Sequence, residues 1–356
     1  MIRFKCSILL TLAISLAACG THNGGVEKNV TENIENTSRH DPGEFNILFY
    51  NTENLYDTRD DPAIEDGEFT PEAKIPWTPE RFELKLERIA DVFCSVVSPA
   101  MPDIIGLAEV ENKGVLDALC KTKGVNTTAY GIVHFDSRDE RGIDVALLYN
   151  KNTFIVTESK PLAVKTTRRV DHTRDILYVK GKTTGGQVIH FFVNHWPSRR
   201  EGKLESEPGR LKAASILRQK VDEIFRDDAN AGIIIMGDFN DEPNDVSLSR
   251  TLNALPPAMP FTKSALYNLL YSELEKGQGT TYFKDWDLFD QFIVSGNLLT
   301  GENGLHCNPG SASIFKPLRL IHRDRKGTTR PNRTMGEKYY GGYSDHLPVL
   351  LELRKQ

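Results

Sequence analysis

Short apolar runs recur from Phe45 onward, each too brief to span a bilayer and most of them followed by polar residues. They read as strands over Phe45–Tyr50, Ile104–Ala108, Val145–Tyr149, Ile176–Val179, Val188–Val193, Ile233–Met236, Phe289–Val294 and Val349–Leu353. Helical spacing appears in Pro79–Val97, through Phe82, Leu86, Ile89, Phe93 and Val96, with Pro79 suited to a first turn. It appears again in Gly209–Arg226, through Leu211, Ala214, Leu217, Val221, Ile224 and Phe225. Strands mixed with helices in this way predict an α/β layered domain whose sheets lie under helices.

The N-terminus is of a different kind. Arg3 and Lys5 precede an apolar run from Ser7 to Leu16, and the sequence then reads Leu16-Ala17-Ala18-Cys19. This resembles the lipobox of bacterial lipoproteins, so residues 1–18 are expected to be a removed signal peptide and Cys19 the lipidated first residue. A plain secretory signal with a chance cysteine is the alternative. Residues 19–43 are polar, cannot bury enough surface to offset ordering, and read as a tether. Residues 44–356 are then one domain, expected on a bacterial cell envelope, facing the periplasm or the cell surface, and taken as a monomer. Beyond Cys6 and Cys19 stand Cys94, Cys120 and Cys307, an odd number that sets up no disulfide framework. A Cys94–Cys120 bridge stays open beside buried thiols.

Polar residues cluster where the strands end. Asn51-Thr52-Glu53-Asn54 follows the first run, Glu109-Val110-Glu111 the second, Asn194-His195-Trp196-Pro197-Ser198-Arg199 a later one, and Gly237-Asp238-Phe239-Asn240-Asp241 another. Ser344-Asp345-His346-Leu347-Pro348 precedes the last strand, and Asp290 sits inside an apolar one, where a carboxylate needs a partner. Strand ends of layered α/β folds bring side chains to one rim. Carboxylate and amide oxygens there suit a Mg²⁺-like ion, and imidazoles can donate to phosphate oxygens.

This ordered set resembles the endonuclease/exonuclease/phosphatase superfamily, which includes deoxyribonuclease I-like and apurinic-site endonucleases, sphingomyelinases and inositol-polyphosphate phosphatases. Gly237-Asp238-Phe239-Asn240 and Ser344-Asp345-His346-Leu347-Pro348 carry it most specifically, with Glu109 in Gly-Leu-Ala-Glu-Val. The resemblance implies a four-layer α/β sandwich, with two central mixed sheets flanked by helices. It also implies Mg²⁺ or Mn²⁺ held by Glu109 with Asn51 and Asp345. Asp238 would orient or deprotonate the attacking water, Asn240 would contact the phosphate, and His346, its tautomer fixed by Asp290, would donate to phosphoryl oxygens. His195 would contact phosphate or serve the leaving group, Arg174 would contact phosphate, and Asp144 would orient His195. Glu53 stands where many relatives have Asp.

The implied activity is divalent-metal-dependent phosphoester hydrolysis, with a phosphodiester, nucleic acid foremost, as substrate. Lys+Arg 44 against Asp+Glu 49 leaves a net charge of −5, so bulk charge would not hold a polyanion. Local charge could: Lys316–Lys338, Arg168-Arg169 and Arg199-Arg200 are basic, whereas Asp57–Glu72 is acidic and reads as a surface insertion. A phospholipid, sphingomyelin or sugar-phosphate esterase of the same fold is an alternative, although no exposed apolar hairpin is legible. A catalytically inert surface-binding lipoprotein is another, and the intact Glu109, Asp238, Asn240, Asp290 and His346 weigh against it.

Overall fold

Side chains on a strand alternate between its two faces, and each apolar run here feeds two cores at once. In the computed structural model, β1 (Glu44–Leu55) sends Ile47 and Phe49 into one core and Leu48 and Tyr50 into another. Described are residues 43–355 apart from 99, 126–127, 166–172 and 303. The expected signal peptide, Cys6, Cys19, nearly all of the tether and the Arg168-Arg169 pair lie outside the described residues.

After β1 come α1 (Pro79–Val96), β2 (Ile104–Val110), α2 (Lys113–Lys121), β3 (Tyr130–His134), β4 (Asp144–Asn150), β5 (Phe154–Leu162) and β6 (Ile176–Thr183). Next are β7 (Val188–His195), α3 (Lys203–Asp227), β8 (Gly232–Asp238), β9 (Ala254–Leu255), β10 (Leu266–Asn268) and α4 (Tyr271–Glu275). β11 (Thr281–Tyr282), β12 (Trp286–Asp287), β13 (Asp290–Ser295), α5 (Asn297–Thr300), β14 (Leu305–His306) and β15 (Ala312–Ile314) follow. The chain closes with β16 (Ile321–Arg323), β17 (Thr329–Pro331) and β18 (Val349–Lys355).

Two seven-stranded sheets form. The first has the order β14-β18-β1-β2-β4-β3, with β15 also on β18, and the second β5-β6-β7-β8-β13-β10-β9. The halves share a plan. β1 and β2 are parallel neighbours with α1 between them in sequence, and β7 and β8 are parallel neighbours with α3 between them. A parallel pair needs such a crossover. Between the sheets lie Ile47, Phe49, Phe191, Val193, Ile234 and Met236. Leu86, Ile89 and Phe93 of α1, with Leu116 and Leu119 of α2, cover the outer face of the first sheet. Ala214, Leu217 and Val221 of α3 cover the second. This is the expected four-layer sandwich.

The third helix begins at Lys203 and not at Gly209, because Pro208 lies inside it and does not end it. Proline leaves an interior carbonyl without its donor and ordinarily breaks a helix. The carbonyl so affected is that of Leu204, and the first turn around it is reinforced by side chains: Ser206 Oγ donates to the Gly202 carbonyl at 2.5 Å and Arg210 Nη2 to that of Lys203 at 2.8 Å. β3 and β5 are strands that no apolar run announces, since β5 alternates buried and exposed residues only loosely. Cys94, Cys120 and Cys307 are free thiols, so the Cys94–Cys120 bridge does not form. No helix among the described residues is long and apolar enough to cross a membrane.

Candidate functional site

Strand register assembles the centre of the site. His195 is opposite Asp238 on the parallel neighbour, and Asp238 is opposite Asp290 on the antiparallel one, giving a row across β7, β8 and β13. Two directly opposed carboxylates repel. His346 relieves this: its Nδ1 donates to Asp290 Oδ2 at 2.7 Å, and its Nε2 lies 3.7 Å from Asp238 Oδ2. Burial opposes the imidazolium, but the Asp290 and Asp238 carboxylates outweigh it and hold the His346 pKa well above the ordinary value. Burial raises the Asp238 carboxyl, helped by Asp290 and opposed by His346.

The other sheet contributes through interrupted strands. Register shifts between Asn51 and Leu55 on β1 and between Ala108 and Val110 on β2. Glu53, Asn54 and Glu109 take positive φ values of 50, 57 and 60° there, as does Asn240 at 49°. Left-handed backbone at bulky residues is costly, and such bulges re-aim side chains at functional rims. Asn51 Nδ2 donates to Asp238 Oδ2 at 3.0 Å and ties the sheets together. Ser344 Oγ donates to the Asn51 carbonyl at 2.7 Å, fixing the segment that carries His346.

Glu109 accepts from the Asn54 N–H at 2.9 Å through Oε2, which also lies 3.7 Å from Arg141 Nη2. Its Oε1 lies 3.8 Å from His195 Nε2 and takes no hydrogen bond from the described residues. His195 is buried and its Nδ1 has no hydrogen-bond partner among the described residues. Burial, then the charges of Arg174, Arg141 and His346, pushes its pKa well below the ordinary value, so this imidazole is neutral at pH 7. Asn240 donates from Nδ2 to the Trp196 carbonyl at 3.1 Å, and its N–H is held by Asp238 Oδ1 at 2.9 Å. Arg174 is gripped by Asp139 Oδ2 and the Trp196 carbonyl, both at 3.0 Å.

One expectation changes. Asp144 does not orient His195: its Oδ2 lies 3.6 Å from His134 Nε2, and its Oδ1 accepts from the Ser137 N–H at 3.0 Å. β4 runs beside β3, in the sheet that lacks His195. Asp345, the third expected metal ligand, has its Oδ2 3.2 Å from Arg333 Nη2 and adjoins a neighbouring charge network. In that network the buried Glu53 accepts from Arg333 Nε at 3.1 Å and from the N–H groups of Thr334 at 2.5 Å and Met335 at 3.3 Å. Below it the buried Lys85 donates to Thr334 Oγ1 at 2.6 Å and to the Tyr343 carbonyl at 2.7 Å. Burial lifts the Glu53 carboxyl and lowers the Lys85 ammonium, each countered by the other's charge.

The oxygen donors that fit a hard divalent cation are Glu109, whose Oε1 is uncommitted, and the Asn51 amide oxygen, which accepts from the Glu53 N–H at 3.0 Å and keeps a second lone pair. Glu53 is fully engaged, and Asp345 is shared with Arg333. Asp238, Asp290 and His346 also converge within 4.8 Å, but His346 Nδ1 is already used by Asp290.

Arg141 and Lys85 were not signalled by the sequence, and Asn54 and Arg333 were signalled only as members of a polar strand end and a basic run; all four act here as fixing charges and donors. The acidic Asp57–Glu72 segment borders a cavity of about 460 Å³ with Glu53, Asn54, Phe69, Lys74, Arg333 and Glu337 in its wall. The basic Lys316–Lys338 run is not uniform. Arg319 is paired with Asp91 and Arg333 with Glu53, whereas Arg323, Arg325, Lys326, Arg330 and Lys338 are exposed. A short hairpin with one exposed aromatic side chain does exist. β11 and β12 form it, Tyr282 and Trp286 pack edge to face at 5.7 Å, Phe283 is 83% exposed, and Thr281 bridges His346. The run is too short and mixed to be read as a hairpin from sequence.

The profile of the Endonuclease/Exonuclease/phosphatase family matches residues 46–355. The chain therefore belongs to this family, a group of phosphoester hydrolases. Among solved structures, humanized D. rerio TDP2 bearing 14 mutations is similar at 15% identity and a TM-score of 0.53, covering 87% of this chain and 99% of that one. A mannosyl-6-phosphatase from Bacteroides thetaiotaomicron gives 15%, 0.53, 87% and 99% for the same quantities. D. rerio TDP2 complexed with a single-strand DNA product gives 16%, 0.52, 87% and 99%. No curated protein matches the chain.

Proposed function

We propose that this protein hydrolyses a phosphodiester in a divalent-metal-dependent reaction, with a nucleic acid strand as the favoured substrate. The observation that carries the reading is the row His195–Asp238–Asp290 closed by His346 and faced by Asn51 and Glu109. Asp238, its basicity raised by burial, orients a water and takes its proton as the water oxygen bonds to phosphorus and the ester oxygen departs. His346, kept protonated by Asp290, donates to a non-bridging oxygen and offsets the charge that builds there. Asn240, Arg174 and the neutral His195 give phosphate contacts, the first two locked by hydrogen bonds to the Trp196 carbonyl. Mg²⁺ or Mn²⁺ on Glu109 and Asn51 would neutralise a phosphoryl oxygen and the leaving oxyanion.

The strand preference is supported by an aromatic hairpin whose β11 packs beside β17, the strand that carries the exposed Arg330, a combination that suits single strands by stacking and charge. Base stacking on one aromatic residue is worth about 1–3 kcal/mol, so Phe283→Ala should raise KM for an oligonucleotide about tenfold or more. Hydrolysis of bis-p-nitrophenyl phosphate should be unchanged. Equal KM values for wild type and variant on the oligonucleotide would remove the stacking role. A panel of plasmid DNA, RNA, bis-p-nitrophenyl phosphate, p-nitrophenyl phosphate, a mannose 6-phosphate ester and sphingomyelin tests the whole reading. Cleavage of the monoesters alone, or of sphingomyelin alone, would replace it.

The proposal includes export and anchoring through Cys19 on a polar tether. Cys19→Ala should move the protein from the membrane fraction to the soluble one, and retention in the membrane fraction would refute the anchor.

A further inference from the structure

Away from the row just described, β3 ends in His134 and β4 begins with Asp144, with β4 lying between β3 and β2, the strand that carries Glu109. The His134 side chain is 3% exposed, and its Nε2 is buried with no hydrogen-bond partner. The nearest carboxylate oxygen, Asp144 Oδ2, is 3.6 Å away, too far for a hydrogen bond. That separation matches two ligands of one small cation: donors about 2.1 Å from a tetrahedral ion lie about 3.4 Å apart. Asp136 Oδ1 lies 3.8 Å from the other ring nitrogen, Nδ1, so it must swing toward Nε2 to join an ion there, and donor atoms of the three residues fall within 4.8 Å of one another. Asp144 is held in place by the Ser137 N–H at 3.0 Å.

We infer that His134, Asp144 and Asp136 form a second metal site, for a zinc-class divalent ion. One imidazole nitrogen with carboxylate oxygens suits Zn²⁺ better than Mg²⁺, which prefers oxygen alone. His134 Nε2 and Asp144 Oδ2 are the fixed ligands. Asp136, 85% exposed, is the movable third, and water fills the fourth position.

The site has a structural purpose. Residues 135–143 link β3 to β4, and an ion at their two ends would brace that loop. The loop delivers Arg141 to within 3.7 Å of Glu109 Oε2 and Asp139 to within 3.0 Å of Arg174 Nη1. Zinc would thus order two residues that line the phosphate-facing rim without touching substrate itself.

The test is zinc per chain by mass spectrometry, after dialysis of the full-length protein against micromolar Zn²⁺ with millimolar Mg²⁺ present. Visible absorption of the Co²⁺-substituted protein is the second readout. One zinc per chain is expected, lost in His134→Ala and in Asp144→Asn and kept in Glu109→Gln. Asp136→Asn changes a residue that is 85% exposed, so the thermal melt should stay at the wild-type value while Zn²⁺ binding weakens by at least about tenfold. No zinc in the wild-type protein would overturn the site and leave a histidine lodged between two carboxylates. Zinc kept by His134→Ala, Asp144→Asn and Asp136→Asn but lost in Glu109→Gln would overturn it equally, by assigning the ion to Glu109.

Discussion

Asp238→Ala should lower kcat/KM by about 10³–10⁴-fold, the range expected when a positioned base is removed. The loss has a specific source. Asp238 is the only carboxylate opposite both His195 and Asp290, and Asn51 and Asn240 each spend a donor on it. Removal leaves those donors unpaired, at about 1–3 kcal/mol each, but it also ends the repulsion with Asp290 and the burial of a charge. The thermal melt should therefore move by only a few degrees while turnover collapses. His346→Ala should behave differently. It leaves the fully buried Asp290 without its Nδ1 partner, so activity and stability should fall together. Asp238→Asn separates chemistry from shape, since it keeps the volume and loses the base. Turnover within tenfold of wild type in Asp238→Asn would end the assignment of Asp238 as proton acceptor.

What the sequence disclosed depended on whether a cost was visible in it. Asp290 was legible because a carboxylate amid Phe289 and Phe292 must have a partner, and the His346 ring supplies it. Asp238, Glu109 and Asn51 were legible as polar ends of apolar strands. The fold followed from the same runs, because Ile47 and Leu48, or Ile233 and Ile234, are buried on opposite faces and require a layer on each side. Other parts depended on contacts distant in sequence. Lys85 occupies an ordinary polar position of a helical pattern, yet it is buried because Thr334 and Tyr343, some 250 residues on, cap its ammonium. Arg333 looked like one member of a basic run until Glu53 claimed it. The left-handed turn at Glu53 and Asn54 has no glycine to announce it. Asp144 was matched to the wrong histidine because His134 and His195 stand in different sheets, a fact that only strand order decides.

Removal of divalent cations should abolish turnover, and excess Mg²⁺ or Mn²⁺ should restore it. Glu109 makes this a sharp test. Its Oε1 is uncommitted and its Oε2 is held by the Asn54 N–H, so the carboxylate is aimed before any ion arrives. Arg141 at 3.7 Å sets the orientation but offers no bond that would satisfy the charge. In Glu109→Gln the amide keeps the shape and loses the negative charge, so the Mg²⁺ concentration giving half-maximal rate should rise by about 10–100-fold. Part of the rate should return at saturating Mg²⁺, because Asn51, Asp238 and His346 are untouched. Asp238→Ala should show the opposite pattern, with a low rate at every Mg²⁺ concentration. The two variants thus divide ion binding from proton transfer, two roles carried by neighbouring carboxylates on different sheets. Full turnover after exhaustive EDTA treatment and dialysis would eliminate the metal from the mechanism and leave Asp238 and His346 to act alone.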